Sequence, residues 1–272
     1  MKADLHVHTT ESDGTWDPAS LGRAAQERGI SVVAVTDHDT TAGVVPALAG
    51  APPGVEIVPG IEISTTVGNS DEVHILGYWI DPEHPRLKEY IDNMREFRIH
   101  RAQCIVSRLN EQGINISFDD VLQYAPRQVV SRSHIAAVMQ KAGYVKTKHQ
   151  AFEEWIGVGR PAYVPRQKMS PEEAIALVVE CGGVPVLAHP GLLSDLGIVH
   201  RLARSPLVGM EVVHSAHTPE QTAYFQELAR GLGLLPSGGS DCHGPGGKDS
   251  LFLGQYTIPT SWVEALRERR PQ

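Results

Sequence analysis

The sequence predicts an α/β barrel that carries one helical insertion. Short apolar segments typical of strands alternate with amphipathic helical segments over most of the 272 residues. This alternation implies parallel strands joined by right-handed crossovers. Polar residues recur where successive predicted strands end, and barrel enzymes place their chemistry at that end of the barrel. A barrel is therefore favoured over an open sheet.

Apolar runs bounded by glycine, proline or charged residues predict the strands. In chain order they cover residues 4–8, 30–36, 55–63, 72–79, 183–188, 207–213 and 234–238. Helices are predicted between them, at about 18–28, 171–181 and 219–231. The first of these helices has proline at its start and Gly29 after its last turn, which are common signals for the two ends of a helix.

The alternation stops in the middle of the chain. A charged segment with apolar periodicity predicts a long helix over about 92–113. Helical or irregular pieces follow to about residue 159, without a strong strand. We therefore expect a catalytic barrel formed by residues 1–91 and 169–272, and a helical insertion, 92–168, that serves as a substrate-binding or lid subdomain.

The composition argues against several classes of protein. A formal net charge of −8 disfavours a broad basic surface for duplex DNA. No apolar run approaches the roughly 18 residues that a membrane span needs, and the N-terminal residues lack the apolar core of a signal peptide. Three scattered cysteines are too few for a disulfide framework. We expect a cytoplasmic protein with no membrane or duplex DNA partner, and the sequence does not predict its oligomeric state.

Nine histidine and carboxylate residues lie at or just after predicted strand ends. They are His6, His8, Asp13, His38, Glu62, His74, His189, Asp241 and His243. The imidazoles of His6 and His8 lie on the same side of their strand, because side chains alternate with period two. Independent accidents would not place so many ligand types at the same end of successive strands. The set predicts a metal centre, and its nitrogen and oxygen donors suit Mn²⁺, Fe²⁺ or Zn²⁺.

Short motifs around these residues resemble those of one known family. The motifs are His6-Val-His8-Thr9 with Asp13-Gly14, Thr36-Asp37-His38-Asp39, Pro59-Gly60-Ile61-Glu62, His74-Ile-Leu-Gly77, Ala188-His189-Pro190-Gly191 and Gly239-Ser240-Asp241-Cys242-His243. Together they resemble the PHP (polymerase and histidinol phosphatase) family over essentially the whole chain. The resemblance implies a distorted (β/α)₇ barrel of the PHP type with a centre of three divalent metal ions.

The resemblance also implies which residues would bind each ion. The first ion would be bound by His6, His8, Glu62 and Asp241, the second by Glu62, His74 and His189, and the third by Asp13, His38 and His243. Glu62 would thus bridge the first two ions.

Two segments of the insertion resemble a PHP subgroup, the nucleoside 3′,5′-bisphosphate phosphatases, some of which are also 5′→3′ exoribonucleases. Ser131-Arg132-Ser133-His134 resembles the R-x-H substrate motif of that subgroup, and residues 159–165 resemble its G-K/R-x-G-Y-V loop. The chain departs from the subgroup at two positions. Ala162 replaces the usual glycine of the loop, and Leu192 stands where arginine commonly follows His-Pro-Gly.

The implied reaction is hydrolysis of a phosphate monoester by a hydroxide that bridges two metal ions. The candidates for catalysis are Glu62, His134 and Asp241, and those for substrate binding are Arg132, His134, Arg160 and His217. Arg132 is the best candidate for a phosphate clamp, because a guanidinium group binds phosphate through two hydrogen bonds. His134 would bind phosphate or protonate the leaving alcohol. The alternatives are a solvent-facing helix residue for His134, a surface loop residue for Arg160 and a helix-capping turn for His217.

Three functions stay open at this point. The first is phosphomonoester hydrolysis on a small phosphorylated substrate, either a nucleoside 3′,5′-bisphosphate or the 5′ end of short RNA. The second is hydrolysis of histidinol phosphate or of a cyclic sugar phosphate. The insertion with Arg132 and His134 favours the first, whereas Leu192 keeps the second open. The third is a non-catalytic, metal-bound PHP scaffold.

Overall fold

The chain forms two units. A computed structural model describes residues 1–68, 71–125, 130–165, 169–245 and 253–271. The first unit consists of Met1–Lys88 and Met169–Gln272, and the second of Glu89–Lys168. None of the helices within the described ranges is both long enough and apolar enough to cross a membrane.

A sheet of eight strands forms the first unit. The strands are β1 (Lys2–Asp4), β2 (Ile30–Val35), β3 (Glu56–Val67), β4 (Asp71–Tyr78), β5 (Val184–Leu187), β6 (Gly209–Val213), β7 (Leu235–Gly238) and β8 (Ile258–Pro259). Their order in the sheet is β7-β6-β5-β4-β3-β2-β1-β8. The segments that follow β1 and β7 also pair, because the Leu5 amide donates to the Gly238 carbonyl at 3.2 Å and Val7 forms a parallel bridge with Cys242. The sheet therefore nearly closes into a barrel, which confirms the predicted barrel class.

Strand direction differs from the prediction at two places. Strand β4 is antiparallel to both β3 and β5, and the short strand β8 is antiparallel to β1. Only three residues separate Val67 from Asp71, whereas a crossover between parallel strands needs a dozen or more. The expectation of parallel strands throughout is therefore wrong at β4. The reversal places His74 directly opposite Ser64, two residues beyond Glu62 on β3.

The first strand is also shorter than predicted. Regular pairing ends at Asp4, so His6 and His8 lie beyond β1 instead of within it. Their segment stays paired on both sides, since the His8 amide donates to the Cys242 carbonyl at 3.0 Å and the Thr36 amide donates to the Val7 carbonyl at 3.0 Å. The segment that carries His6 and His8 therefore lies between the residues that follow β2 and those that follow β7. We call its pairing with the residues after β7 the seam of the barrel, because this pairing closes the barrel.

Most helices of the first unit pack on the sheet. The helices of this unit are α1 (Pro18–Glu27), α2 (Val44–Gly50), the beginning of α3 (Pro85–Glu111), α7 (Pro171–Glu180), α8 (Gly197–Leu202), α9 (Pro219–Leu232) and α10 (Thr260–Arg267). Helices α7 and α9 each begin with a capping box and a proline, at Ser170 and Thr218 respectively. These signals satisfy amide groups that the first turn leaves unpaired.

The burial of strand β2 explains why its sequence is almost wholly apolar. Val32 and Ala34 join a buried cluster built largely from strands β1 to β5. Val33 and Val35 join a second cluster, which includes residues of α1 and α2. Side chains alternate between the two faces of a strand, so both faces of β2 are buried, as its apolar run indicates.

The second unit has a helical core of its own. It contains most of α3, followed by α4 (Phe118–Tyr124), α5 (Arg132–Lys141), α6 (Lys148–Ala151) and a turn of π-helix, Phe152–Ile156. Leu109, Val121, Ile135 and Met139 are buried in this core. Helix α3 begins at Pro85, earlier than the predicted start at about 92, because proline suits the first turn of a helix.

Candidate active site

Glu62 lies at the centre of a histidine cluster. Its side chain is 1 % exposed, and its Oε2 atom lies 2.9 Å from His38 Nδ1, 3.3 Å from His8 Nε2 and 3.4 Å from His6 Nε2. His38 reaches this position because the chain beyond β2 forms a parallel bridge between His38 and Glu62. The segments that follow β1 and β2 therefore supply three imidazoles to one carboxylate oxygen.

The other oxygen of Glu62 faces a second pair of imidazoles. Oε1 lies 2.8 Å from His74 Nδ1 and 3.1 Å from His189 Nε2. His189 follows β5 and has a φ of 27°, a conformation that is rare for a residue with a side chain. The two oxygens of Glu62 thus serve two separate sets of histidines.

Asp241 and Asp13 extend the cluster on the side of the seam. Asp241 Oδ1 lies 3.0 Å from His8 Nε2 and 3.4 Å from His6 Nε2. Asp13 Oδ1 lies 3.4 Å from His243 Nε2. The structure therefore brings all nine sequence-predicted ligand candidates into one cluster.

Close backbone contact at the seam positions Asp241. Its amide donates to the His6 carbonyl at 2.9 Å, and its φ is 53°. A Cβ atom at Gly239 would lie 2.4 Å from the His6 amide nitrogen, so only glycine allows the two segments to approach this closely. The Gly239-Ser240-Asp241 sequence thus sets the distance between Asp241 and the imidazoles.

The surroundings of the central carboxylates favour their ionised form. Burial raises the pKa of Glu62, but the charges of His38, His74 and His6 outweigh it and hold the pKa well below its ordinary value. Burial also opposes ionisation of Asp241, and its histidine neighbours likewise hold its pKa well below normal. Both groups are therefore available as anionic ligands near neutral pH.

The histidines fall into two electrostatic groups. Burial lowers the pKa of His8 and His189. Burial has the same effect on His38 and His243, but neighbouring carboxylates outweigh it and raise their pKa to about 9 and about 10. Because a metal ion binds the unprotonated nitrogen, binding at His38 and His243 must displace protons.

Several buried atoms of the cluster make no well-aligned hydrogen bond. Among the nine ligand candidates they are His6 Nε2, His8 Nδ1 and Nε2, His38 Nδ1, Glu62 Oε2, His74 Nε2 and His189 Nδ1. Buried polar atoms are nearly always paired, so a concentration of exceptions needs an explanation. Ligand atoms that surround a cation behave in this way, and three groups drawn from the nine candidates have ligand atoms within 4.8 Å of one another. The donor set fits divalent ions that accept nitrogen and oxygen ligands.

His217 lies next to this cluster, inside the barrel wall. Its side chain is buried, its Nδ1 donates to the Val212 carbonyl at 3.0 Å, and its Nε2 accepts from the Gly191 amide at 3.1 Å. Both ring nitrogens are therefore occupied, and His217 links β6 to the turn that follows His189.

The other substrate-binding candidates lie in the second unit. Arg132 begins α5, and its guanidinium carbon lies 5.4 Å from the centre of the Phe152 ring. His134 Nδ1 accepts from the Ser131 amide at 3.2 Å, as part of the cap of the same helix. Arg160 is exposed in the turn after the π-helix, and Ala162, which replaces the usual glycine, is buried in the helical core.

Two residues of the cluster are not among the nine ligand candidates that the sequence predicts. Glu211 is fully buried on β6 and contacts His6, while His214 Nε2 lies 3.4 Å from Asp241 Oδ2. Each of them has a feature in the sequence that could have identified it. Glu211 is the single charged residue inside the apolar run 207–213, and His214 follows that strand just as the other ligand candidates follow theirs.

Asp37 supports the loop that carries Asp13. Its carboxylate accepts from the Thr9 amide and hydroxyl, both at 2.7 Å, and from the Ser12 hydroxyl at 2.6 Å. Glycine at position 43 leaves room for it, because a Cβ there would lie 2.5 Å from Asp37 Oδ2. Asp37 thus fixes the polar turn predicted after the first strand.

Comparison with known proteins identifies the family. The PHP domain matches residues 4–156 of the chain. The chain belongs to the PHP domain family. It is 35% identical over 250 residues to the 5′-3′ exoribonuclease Rnm of Escherichia coli, covering 89% of this chain and 85% of the relative. It is also 35% identical over 251 residues to the 3′,5′-nucleoside bisphosphate phosphatase of Chromobacterium violaceum, covering 89% and 87%.

A solved structure shows the same fold. A protein from Bifidobacterium adolescentis, assigned as a metal-dependent phosphoesterase, superposes with a TM-score of 0.86 at 33% sequence identity. The match covers 99% of this chain and 96% of that protein. This PHP protein is therefore a metal-dependent phosphoesterase, and its histidine and carboxylate groups could hold the metal ions.

Proposed function

We propose that this PHP enzyme removes a phosphate from a nucleoside 3′,5′-bisphosphate or from the 5′ end of short RNA. The convergence of five imidazoles on the two oxygens of Glu62 carries the proposal, because such a donor set would suit a phosphoesterase centre with more than one metal ion. The choice of substrate is supported by the two relatives named for bisphosphate and exoribonuclease activities. The sequence pattern around Arg132 and His134 favours the same substrates.

The proposed centre holds three divalent ions, of Mn²⁺, Fe²⁺ or Zn²⁺. Their ligands would be His6, His8, Glu62 and Asp241 for the first ion, Glu62, His74 and His189 for the second, and Asp13, His38 and His243 for the third. The two oxygens of Glu62 support the assignment of the first two ions, since Oε2 faces His6 and His8 while Oε1 faces His74 and His189. His38, a ligand of the third set, also lies 2.9 Å from Oε2. When bound, such ions polarise phosphoryl oxygens and activate water near neutral pH.

The protein residues position the substrate and the proton that the reaction needs. Arg132 would bind two phosphate oxygens through its planar guanidinium group. His134 accepts a backbone hydrogen bond at Nδ1, so its neutral ring carries the proton on Nε2. That N–H group would donate a hydrogen bond to a phosphate oxygen. To protonate the leaving alcohol, the ring would first have to become imidazolium, with Nδ1 protonated and released from the Ser131 amide. Arg160 is a further substrate-binding candidate, whereas both ring nitrogens of His217 already bond to the backbone of Val212 and Gly191.

Phosphate release by the Mn²⁺-loaded enzyme tests this proposal. The substrates are adenosine 3′,5′-bisphosphate, a short 5′-phosphorylated RNA, histidinol phosphate and a cyclic ribose phosphate. We expect selective turnover of the bisphosphate or the RNA, abolished in His8→Ala and unchanged in His149→Ala, which alters an exposed histidine of the second unit. Turnover of only histidinol phosphate or the cyclic substrate would overturn the nucleotide assignment. A fully metal-loaded protein that turns over none of the four would support a scaffold instead.

A further inference from the structure

Glu211 contacts two candidate metal ligands from inside the barrel. Both of its oxygens lie near His6 Nδ1, at 3.1 Å and 3.2 Å. Its Oε2 also accepts from the His189 backbone amide at 2.7 Å. His6 belongs to the set assigned to the first ion and His189 to the set assigned to the second. One buried side chain therefore touches a ligand of each ion that Glu62 would bridge.

The contact with His6 determines which ring nitrogen can bind a metal. An ionised carboxylate only accepts hydrogen bonds, so His6 Nδ1 must carry a proton. The opposite nitrogen, Nε2, lies 3.4 Å from both Glu62 Oε2 and Asp241 Oδ1, and it is the ring nitrogen that would bind a metal ion after giving up its own proton. A carboxylate behind the far nitrogen of a ligating histidine is a common way to orient the ring and to increase its basicity.

The contact with His189 holds a strained piece of backbone. His189 has a φ of 27° and a ψ of 61°, in a region that non-glycine residues seldom occupy. Its amide donates to Glu211, and its side-chain Nε2 reaches Glu62. Glu211 thus stabilises the backbone conformation that directs the His189 ring toward the centre.

Another metal site at Glu211 is disfavoured by its surroundings. His6, Glu211 and His214 do have ligand atoms close together. The Ala216 amide, however, donates to His214 Nδ1 at 3.0 Å, so the neutral His214 ring carries its proton on Nε2. That nitrogen faces Asp241 Oδ2 as a donor, and the oxygens of Glu211 already accept from two N–H groups. The group supports ligands and does not itself form a cation site.

We propose that Glu211 is a positioning residue of the metal centre, which fixes the tautomer of His6 and the backbone of His189. The proposal rests on the proposed function, because it assigns a role to Glu211 only through ligands of that centre. It adds a residue on β6 to a site otherwise built from β3, from β4 and from the segments that follow β1, β2, β5 and β7.

Glu211→Gln separates this role from simple packing, because the two side chains have nearly the same shape. The His189 backbone can only donate, so the amide oxygen of glutamine must stay with it. The amide NH₂ group then takes the position 3.1 Å from His6 Nδ1, while the amide oxygen stays 3.2 Å from the same nitrogen. Because a donor replaces one of two acceptors there, the preference for a proton on Nδ1 falls and the His6 proton shifts toward Nε2. Since a protonated nitrogen cannot bind metal, we expect affinity at the site of His6 to fall by about 10- to 100-fold.

The experiment measures Zn²⁺ binding to the whole protein by competition with a chelator, together with the number of ions bound. Glu211→Asp keeps the carboxylate and should recover part of the affinity. Ser237→Ala is the matched control, because Ser237 is fully buried, lies directly opposite Glu211 on β7 and bonds to Tyr78, not to a ligand candidate. We expect Ser237→Ala to bind Zn²⁺ as the wild type does.

Nitrogen-15 NMR of the Zn²⁺-loaded protein supplies a readout of the tautomer itself. The wild type should show an Nδ1–H signal, assigned to His6 by its absence in His6→Gln, and Glu211→Gln should lose this signal. Equal Zn²⁺ affinity in the wild type and in Glu211→Gln would overturn the proposal, as would loss of an ion while the His6 signal persists. A wild type that binds no Zn²⁺ would refute the metal centre and this inference with it.

Discussion

Replacement of Glu62 by glutamine should remove two metal ions from the enzyme. The amide keeps the shape of the side chain but loses the negative charge, and its NH₂ group cannot act as a ligand. In the structure both oxygens are used, because one faces His38 at 2.9 Å and the other faces His74 at 2.8 Å. In either orientation of the amide, its NH₂ group replaces a carboxylate oxygen beside one of the two sets of imidazoles. That set then faces a hydrogen-bond donor and not an anionic acceptor.

The size of the effect follows from linkage between metal binding and folding. An ion present at a hundredfold its Kd stabilises the folded protein by about 2.7 kcal/mol. Two ions that share Glu62 would therefore contribute about 5 kcal/mol under those conditions. For a chain of roughly this size, 1 kcal/mol corresponds to about 2–4 °C in Tm, so Glu62→Gln should lose roughly 10–20 °C of the metal-induced rise in Tm.

Thermal unfolding with and without saturating Mn²⁺, combined with phosphate release, measures this loss. Glu27→Gln, an exposed glutamate in the last turn of α1, is the control and should keep both the metal-induced shift and the turnover. A Glu62→Gln protein with the wild-type metal shift would refute the bridging role. Wild-type turnover in that variant would show that the cluster is not the catalytic centre.

Three further predictions concern other residues. Arg132→Ala should lower kcat/KM for the bisphosphate by about 10- to 100-fold, because a charged hydrogen-bonding group is lost, and Arg132→Lys should recover only part of it. An unchanged kcat/KM in Arg132→Ala would remove this residue from the site. Leu192→Arg should fold normally, since Leu192 is 60% exposed, and it should raise kcat/KM by restoring the arginine usual in the subgroup. A fall in kcat/KM would contradict this. Burial raises the pKa of Cys181 to about 11, so alkylation of the folded protein at about pH 8 should label the partly exposed Cys104 and spare Cys181. Equal labelling rates for the two thiols would disprove the burial argument.

Part of the fold can be predicted from short stretches of the sequence. The barrel class and the position of most strands follow from hydrophobic periodicity, as at β2, whose apolar run matches burial on both faces. The direction of a strand cannot be predicted from the residues of that strand alone. The alternation over most of the chain predicts parallel strands, and β4 departs from it because a strand pattern looks the same in either direction. Only the short connection after Val67 indicates the reversal.

The candidate site shows the same division. The sequence by itself determined which residues could act as ligands, because strand ends such as those at His38 and His189 meet at one end of a barrel regardless of detail. Only the tertiary structure decided how they are held. Glu211 and His6 are 205 positions apart in the chain, yet their contact selects the ring nitrogen of His6 that faces Glu62. Such a contact leaves no periodic signal in the sequence, because it depends on closure of the barrel, which brings the end of β1 next to β6 and β7.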